Sequence, residues 1–155
     1  MAEEAVGYDL TILFATAFQL AVEELHVELA KLGFDDVRPS HGFIFQLISH
    51  GGATGIEIAS HLGVTKQAAS ITIDYLEEHG YVNREPHPSD RRGKLIVLTE
   101  RGWQCIRATE RIFTLIEERW KNVLGVERVQ ALRSDMRDIV RTFPNARLGV
   151  FRPVW

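Results

Sequence analysis

Thr65, Lys66, Gln67 and Ser70 stand close together in the sequence. Their side chains are of the kinds that hydrogen-bond phosphate oxygens and base edges. Thr65 also precedes a helical pattern, so the free amides of a helix start would lie beside them, ready for an anion. Further along come Arg91, Arg92 and Lys94, in a run rich in turn-forming residues. A basic tip of this kind can meet phosphates or enter a narrow minor groove, where negative potential is concentrated. Asp90 reads as the ion-pair partner that keeps the Arg92 guanidinium in position. Such a pair on a bare surface would be worth little on its own. Arg84 is open to two readings, a nucleic-acid contact or a structural ion pair. Ile71 is likewise open: it can pack on a thymine methyl or face the core.

Whole-chain charge gives no support to a basic nucleic-acid-binding surface. The 155 residues carry a formal net charge of −3, with 45% hydrophobic and 25% charged residues. These values are ordinary for a globular protein with a working core. Between residues 61 and 101 there are six basic and six acidic side chains, so the expectation rests on placement and not on excess charge. Three of the acids, Asp74, Glu77 and Glu78, fall at the far end of the helical segment, and Arg91, Arg92 and Lys94 cluster in the turn.

Other chemistries find no residues to carry them. One cysteine, Cys105, rules out an intrachain disulfide framework and argues against a Cys-based zinc site. It reads as a small core residue on a long helix, in a protein of a reducing cytoplasm. His26 and His41 are not spaced as a metal pair, and neither a metal nor a cofactor is expected. No phosphate loop, ligand cluster or nucleophile motif is present, so an enzyme is not expected. The apolar stretch 10–22 follows acids and not basic residues, unlike a signal peptide, and thirteen residues are too few to span a bilayer.

The elements that would position these residues are nearly all helical. Apolar residues recur at helical spacing over 6–32 (Leu10, Leu13, Ala17, Leu20, Ala21, Leu25, Leu29), on more than one face. A second buried face suggests a partner chain. Pro39 opens a second helix that Gly51-Gly52 stops. Thr54 and Glu57 form a capping box before a short helix. Gly63 breaks that helix, and Thr65 caps the next, which runs to His79 and ends at Gly80. Residues 81–84 and 94–98 read as two strands joined by the turn-forming run 86–93. Thr99 caps a helix over 100–124, with Trp103, Phe113 and Trp120 as packing residues. A last helix runs from 126 to Phe143. The tail 145–155 is non-periodic but contains Phe151 and Trp155. Two short helices around Gly63 followed by a hairpin make a winged helix-turn-helix.

At residue level this stretch resembles a known family. The runs Gly63-Val64-Thr65-Lys66-Gln67-Ala68-Ala69-Ser70, Asp74-Tyr75-Leu76-Glu77-Glu78-His79-Gly80-Tyr81-Val82 and Asp90-Arg91-Arg92-Gly93-Lys94 through Thr99-Glu100-Arg101-Gly102 are similar to the MarR family of bacterial transcriptional regulators. The Asp-x-Arg wing pattern falls on Asp90 and Arg92. The resemblance implies a mainly α fold with a DNA-binding lobe over 38–102. A helical dimerisation lobe would be formed by 1–37 and 103–155. It also implies a homodimer on a palindromic operator, a repressor in the first instance, released by a small aromatic or anionic effector. Ile71 and Tyr75 depart from the polar residues common in the family and leave the operator sequence open. The residues expected at the DNA are Thr65, Lys66, Gln67, Ser70, Ile71, Arg84, Asp90, Arg91, Arg92 and Lys94. The competing reading is a winged helix used to bind protein without DNA.

Overall fold

A computed structural model describes residues 7–144. Six helices and three short strands alternate along them: α1 Asp9–Lys31, α2 Pro39–Ile48, β1 Ala53–Thr54, α3 Gly55–Leu62, α4 Lys66–Glu78, β2 Val82–Pro86, β3 Lys94–Leu98, α5 Glu100–Leu124 and α6 Val126–Arg141. The fold is mainly helical with one small antiparallel sheet in the order β1-β3-β2. The expected helix start at Val6 and the tail 145–155 lie outside the described residues.

The local signals act where expected. The Thr54 hydroxyl accepts from the Glu57 amide at 3.2 Å, while Glu57 accepts from the Thr54 amide at 2.7 Å. This reciprocal pair fixes the start of α3 and holds the Glu57 carboxyl below its usual range. Gly63 closes α3 in the left-handed conformation, with φ 68°. The Thr65 and Thr99 hydroxyls accept from Ala68 and Gly102 amides, each at 3.1 Å, and cap α4 and α5.

A third strand was not foreseen. Ala53 pairs with Ile96 and Thr54 with Leu95, and a two-residue strand shows no alternation to detect. It explains Gly52. A Cβ there would lie 2.9 Å from the Ile96 carbonyl oxygen, and the residue sits at φ 87°, so the backbone passes β3 where only glycine fits.

One core runs through the described residues. Leu25 and Leu29 of α1, Ile44 and Ile48 of α2, Ile73 and Leu76 of α4, Tyr81, Ile96, and Cys105, Ala108 and Ile112 of α5 form a continuous buried cluster. In α1 only Ala21, Leu25 and Leu29 are buried, and Leu10, Leu13 and Leu20 are exposed. Two expected packing positions of α5, Trp103 and Trp120, are also open to solvent in the single chain, as is Val123, 82% exposed. The spacing argument identified apolar faces correctly but could not tell which of them this chain covers. The thirteen-residue argument against a membrane span also needs correction. The helix has 23 residues and by length and composition could cross a bilayer. What it does in the fold is pack Leu25 and Leu29 into the core.

Candidate nucleic-acid interface

Helix α4 has two clearly separated sides. Ala69, Ile73 and Leu76 are buried, at spacings of four and three that put them on one face. That face is the anchor. Lys66, Gln67, Ser70 and Ile71 are exposed on the other side. Ile71 is 65% exposed, which removes the core alternative for it.

The wing stands beside this face. Strands β2 and β3 pair from Val82–Leu98 out to Pro86–Lys94. Beyond them the His87 amide donates to the Gly93 carbonyl at 3.2 Å and the Gly93 amide to the Asp90 carbonyl at 3.1 Å. Asp90 Oδ1 accepts from the Arg92 backbone amide at 2.9 Å. This corrects the expected ion pair: Asp90 shapes the turn through the main chain, a side-chain-to-backbone turn two residues long, and Arg91 and Arg92 are exposed at the tip. A cleft of about 350 Å³ runs between the wing and the helix, lined by Thr54, Ile56, Lys66, Ser70, Asp90 and Lys94 among others.

Arg84 lines the cleft as well. Its guanidinium is paired with both Asp74 and Glu77 on α4, which is the structural ion pair of the two readings open for it. Charge is thus unevenly distributed: Arg84 offsets one of the two acids beside it, while Lys66 and Lys94 line the cleft and Arg91 and Arg92 stand at the tip. Tyr75 is half-buried. Its hydroxyl donates to the Asp36 carbonyl oxygen at 2.8 Å, its ring stacks on His79 at 3.9 Å, and the Arg38 guanidinium lies 5.4 Å over it. These contacts pack it against the segment from Asp36 to His41.

Sequence reasoning missed the polar cluster behind the helix. The buried Tyr81 hydroxyl donates to the Asp36 carboxylate. Arg101 donates to the Tyr81 hydroxyl at 3.0 Å and to the Gly33 carbonyl at 3.1 Å. Burial and the Asp36 charge push the Tyr81 hydroxyl pKa well up. Nothing in the spacing of Asp36, Tyr81 and Arg101 announces that the fold brings them together.

A second cavity, about 460 Å³, lies between α1, α2 and α5. Its wall is largely apolar, with Val22, Leu25, Phe43, Ile106 and Phe113, and carries His26, Gln46, His50 and Glu110 as polar groups. Of the three aromatics read as packing residues on the long helix, Phe113 lines it. Cys105 is also at its wall but is buried, and that burial pushes its thiol pKa up to about 11, as for an inert core thiol.

The family model that matches this chain is that of the MarR family, over residues 36–93. Over those residues this chain is similar to the MarR family. An uncharacterised HTH-type transcriptional regulator of Mycobacterium leprae is 33% identical over 95 residues, 61% of each chain. This chain thus spans about three-fifths of that relative's length. Solved structures extend the likeness of fold across the helices on either side. A Mycobacterium tuberculosis protein superposes with a TM-score of 0.74 at 22% identity, covering 94% of this chain and 99% of its own. The reduced form of MarR from E. coli gives 0.72 at 23%, covering 89% and 99%. A mutant MepR of S. aureus bound to an oligodeoxyribonucleotide gives 0.62 at 21%, covering 86% and 96%.

Proposed function

We propose that this chain regulates transcription, as a repressor, by binding a palindromic operator in double-stranded DNA as a homodimer. The observation that carries this reading is the shared cleft. Lys66 and Ser70 of α4 and Lys94 of the wing line one cleft, with Thr65 and Gln67 exposed beside it on the helix and Arg91 and Arg92 exposed at the wing tip. Helix α4 enters the major groove, and the wing tip meets the adjacent backbone or minor groove. A two-fold dimer spaces its two recognition helices by one DNA turn, roughly 34–36 Å. The exposed apolar side chains of α1, α5 and α6, among them Leu13, Val123 and Leu132, supply the dimer surface. The cavity between α1, α2 and α5 takes a small aromatic effector, with the histidines at its wall suited to an anionic group.

Selection from random duplexes, followed by binding measured over a range of salt, tests the reading. The expected result is one enriched inverted repeat and a log–log salt slope that falls by about one when Arg92→Ala removes a phosphate contact. An unchanged slope counts against the wing assignment. No enriched duplex favours the protein-binding alternative. Sedimentation of Leu13→Glu with Val123→Glu tests the dimer, and monomers at concentrations where the parent is dimeric are expected.

A further inference from the structure

We infer that Tyr75 is a positioning residue that couples the contents of the α1–α2–α5 cavity to the angle of the recognition helix. This inference rests on the proposed DNA-binding reading and adds the route by which that site is regulated. The segment from Asp36 to Phe43 has two working sides. Its inner side, through Val37, Pro39, Gly42 and Phe43, is cavity wall. Its outer side holds α4. The Asp36 carbonyl accepts the Tyr75 hydroxyl at 2.8 Å, across 39 positions of sequence. The Arg38 guanidinium covers the Tyr75 ring at 5.4 Å, and the His41 ring lies 5.3 Å from it. The same Asp36 takes the Tyr81 hydroxyl just beyond the end of α4. One short stretch of backbone therefore stands between the cavity and two attachment points of the recognition helix.

The attachment is well placed to act on DNA contacts. Gln67, Ile71 and Tyr75 follow one another at intervals of four, so the two outward residues stand on the ridge that leads to the held tyrosine. A helix is stiff over two turns. Moving the segment outward shifts Tyr75, and with it the tilt of Ile71 and Gln67 roughly 6 and 12 Å along the axis. A group that fills the cavity and contacts Val37 or Pro39 thus bears on the recognition helix without touching it.

An occupant can be built into the chain. Gly42 lines the cavity and is itself exposed, and a Cβ added there meets no atom within 4 Å, so Gly42→Phe adds an aromatic ring at the cavity's open rim. Affinity for the selected duplex is measured for the parent, Gly42→Phe, Tyr75→Phe and the double variant, with thermal melting of each. Tyr75→Phe keeps the ring and its stacking and removes only the hydroxyl. Gly42→Phe alone is expected to change duplex affinity by on the order of fivefold or more. In the Tyr75→Phe background that factor is expected to fall towards one, with the salt slope unchanged, the non-additivity that marks a coupled pair. The same factor in both backgrounds overturns the role of Tyr75. No effect of Gly42→Phe in the parent overturns the coupling itself. Failure of the parent to bind any duplex defeats the DNA reading instead. Should Gly42→Phe not fold, Gly42→Leu carries the same cycle with a smaller occupant.

Discussion

Asp90 holds Arg92 by its main chain: the carboxylate accepts the Arg92 amide at 2.9 Å. The acid is therefore needed as an acceptor and not as a counter-ion. Asp90→Asn keeps an acceptor oxygen and removes a negative charge from a surface that faces phosphates, so duplex affinity at or above the parent's is expected. Asp90→Ala removes the acceptor and should weaken binding about fivefold, the worth of one net hydrogen bond. Equal losses in the two variants, measured by fluorescence anisotropy, would restore the ion-pair reading.

Ile71 projects from the middle of the recognition helix among polar neighbours. An exposed isoleucine at a groove floor is complementary to the 5-methyl of thymine. Replacing each thymine of the selected duplex in turn by deoxyuridine should weaken binding about fourfold at one position per half-site, from ~0.8 kcal/mol per buried methyl-sized group. That position should become indifferent in Ile71→Ala. A loss that persists in Ile71→Ala assigns the methyl to another side chain.

Gly102 lies where α5 crosses the end of the sheet. A Cβ there would stand 2.4 Å from the Tyr81 carbonyl oxygen and 2.7 Å from Leu98 Cδ2, and the first of these is backbone that cannot step aside. Gly102→Ala is expected to cost ~1–3 kcal/mol in urea unfolding through overpacking. Gly42→Ala, in open space on α2, is expected to raise stability by up to ~1 kcal/mol through helix propensity and lost unfolded-state entropy. Similar values for the two would mean that the α5–sheet contact relaxes freely.

His41 is buried and accepts the Arg38 amide through Nδ1 at 3.0 Å. Burial first, and then the nearby charges of Arg38 and His26, lower its pKa to about 4, and Asp36 opposes them weakly. Its neutral form is the one the fold accommodates. The unfolded chain binds the proton more readily, so stability is full above the ordinary histidine pKa near 6.5. It falls as pH drops towards 4, by at most about 1.4 kcal/mol per pH unit for one proton. His26, lowered by its own burial, acts in the same direction. Melting temperatures between pH 7 and 4 should show this decline, and His41→Asn, which keeps an acceptor for Arg38, should flatten it. A flat parent profile would mean that His41 is solvated.

Much of the fold was legible because its signals are local. Thr54 with Glu57, the left-handed Gly63, and Thr65 and Thr99 as caps mark helix ends by chemistry confined to a few residues. The outward face of α4 was legible for the same reason, since Ala69, Ile73 and Leu76 dictate what is left outside. What could not be read are relationships across the sequence. Arg84 is decided by Asp74 and Glu77 on another element. Tyr75 is decided by the carbonyl of Asp36, and a carbonyl belongs to every residue and leaves no mark in composition. β1 exists only because β3 offers it two partners.

Helix α1 finishes at Lys31 and the helix it packs on most extensively, α5, starts at Glu100. On the ribosome about 70 residues separate them, a delay on the order of 4–14 s at ordinary rates of synthesis. Throughout that interval the apolar side of α1 that packs on α5 has no neighbour within the chain. Early synthesis is therefore the stage at which this protein is most exposed to wrong associations, and substitutions at Leu25 or Leu29 should show first as lost yield at birth.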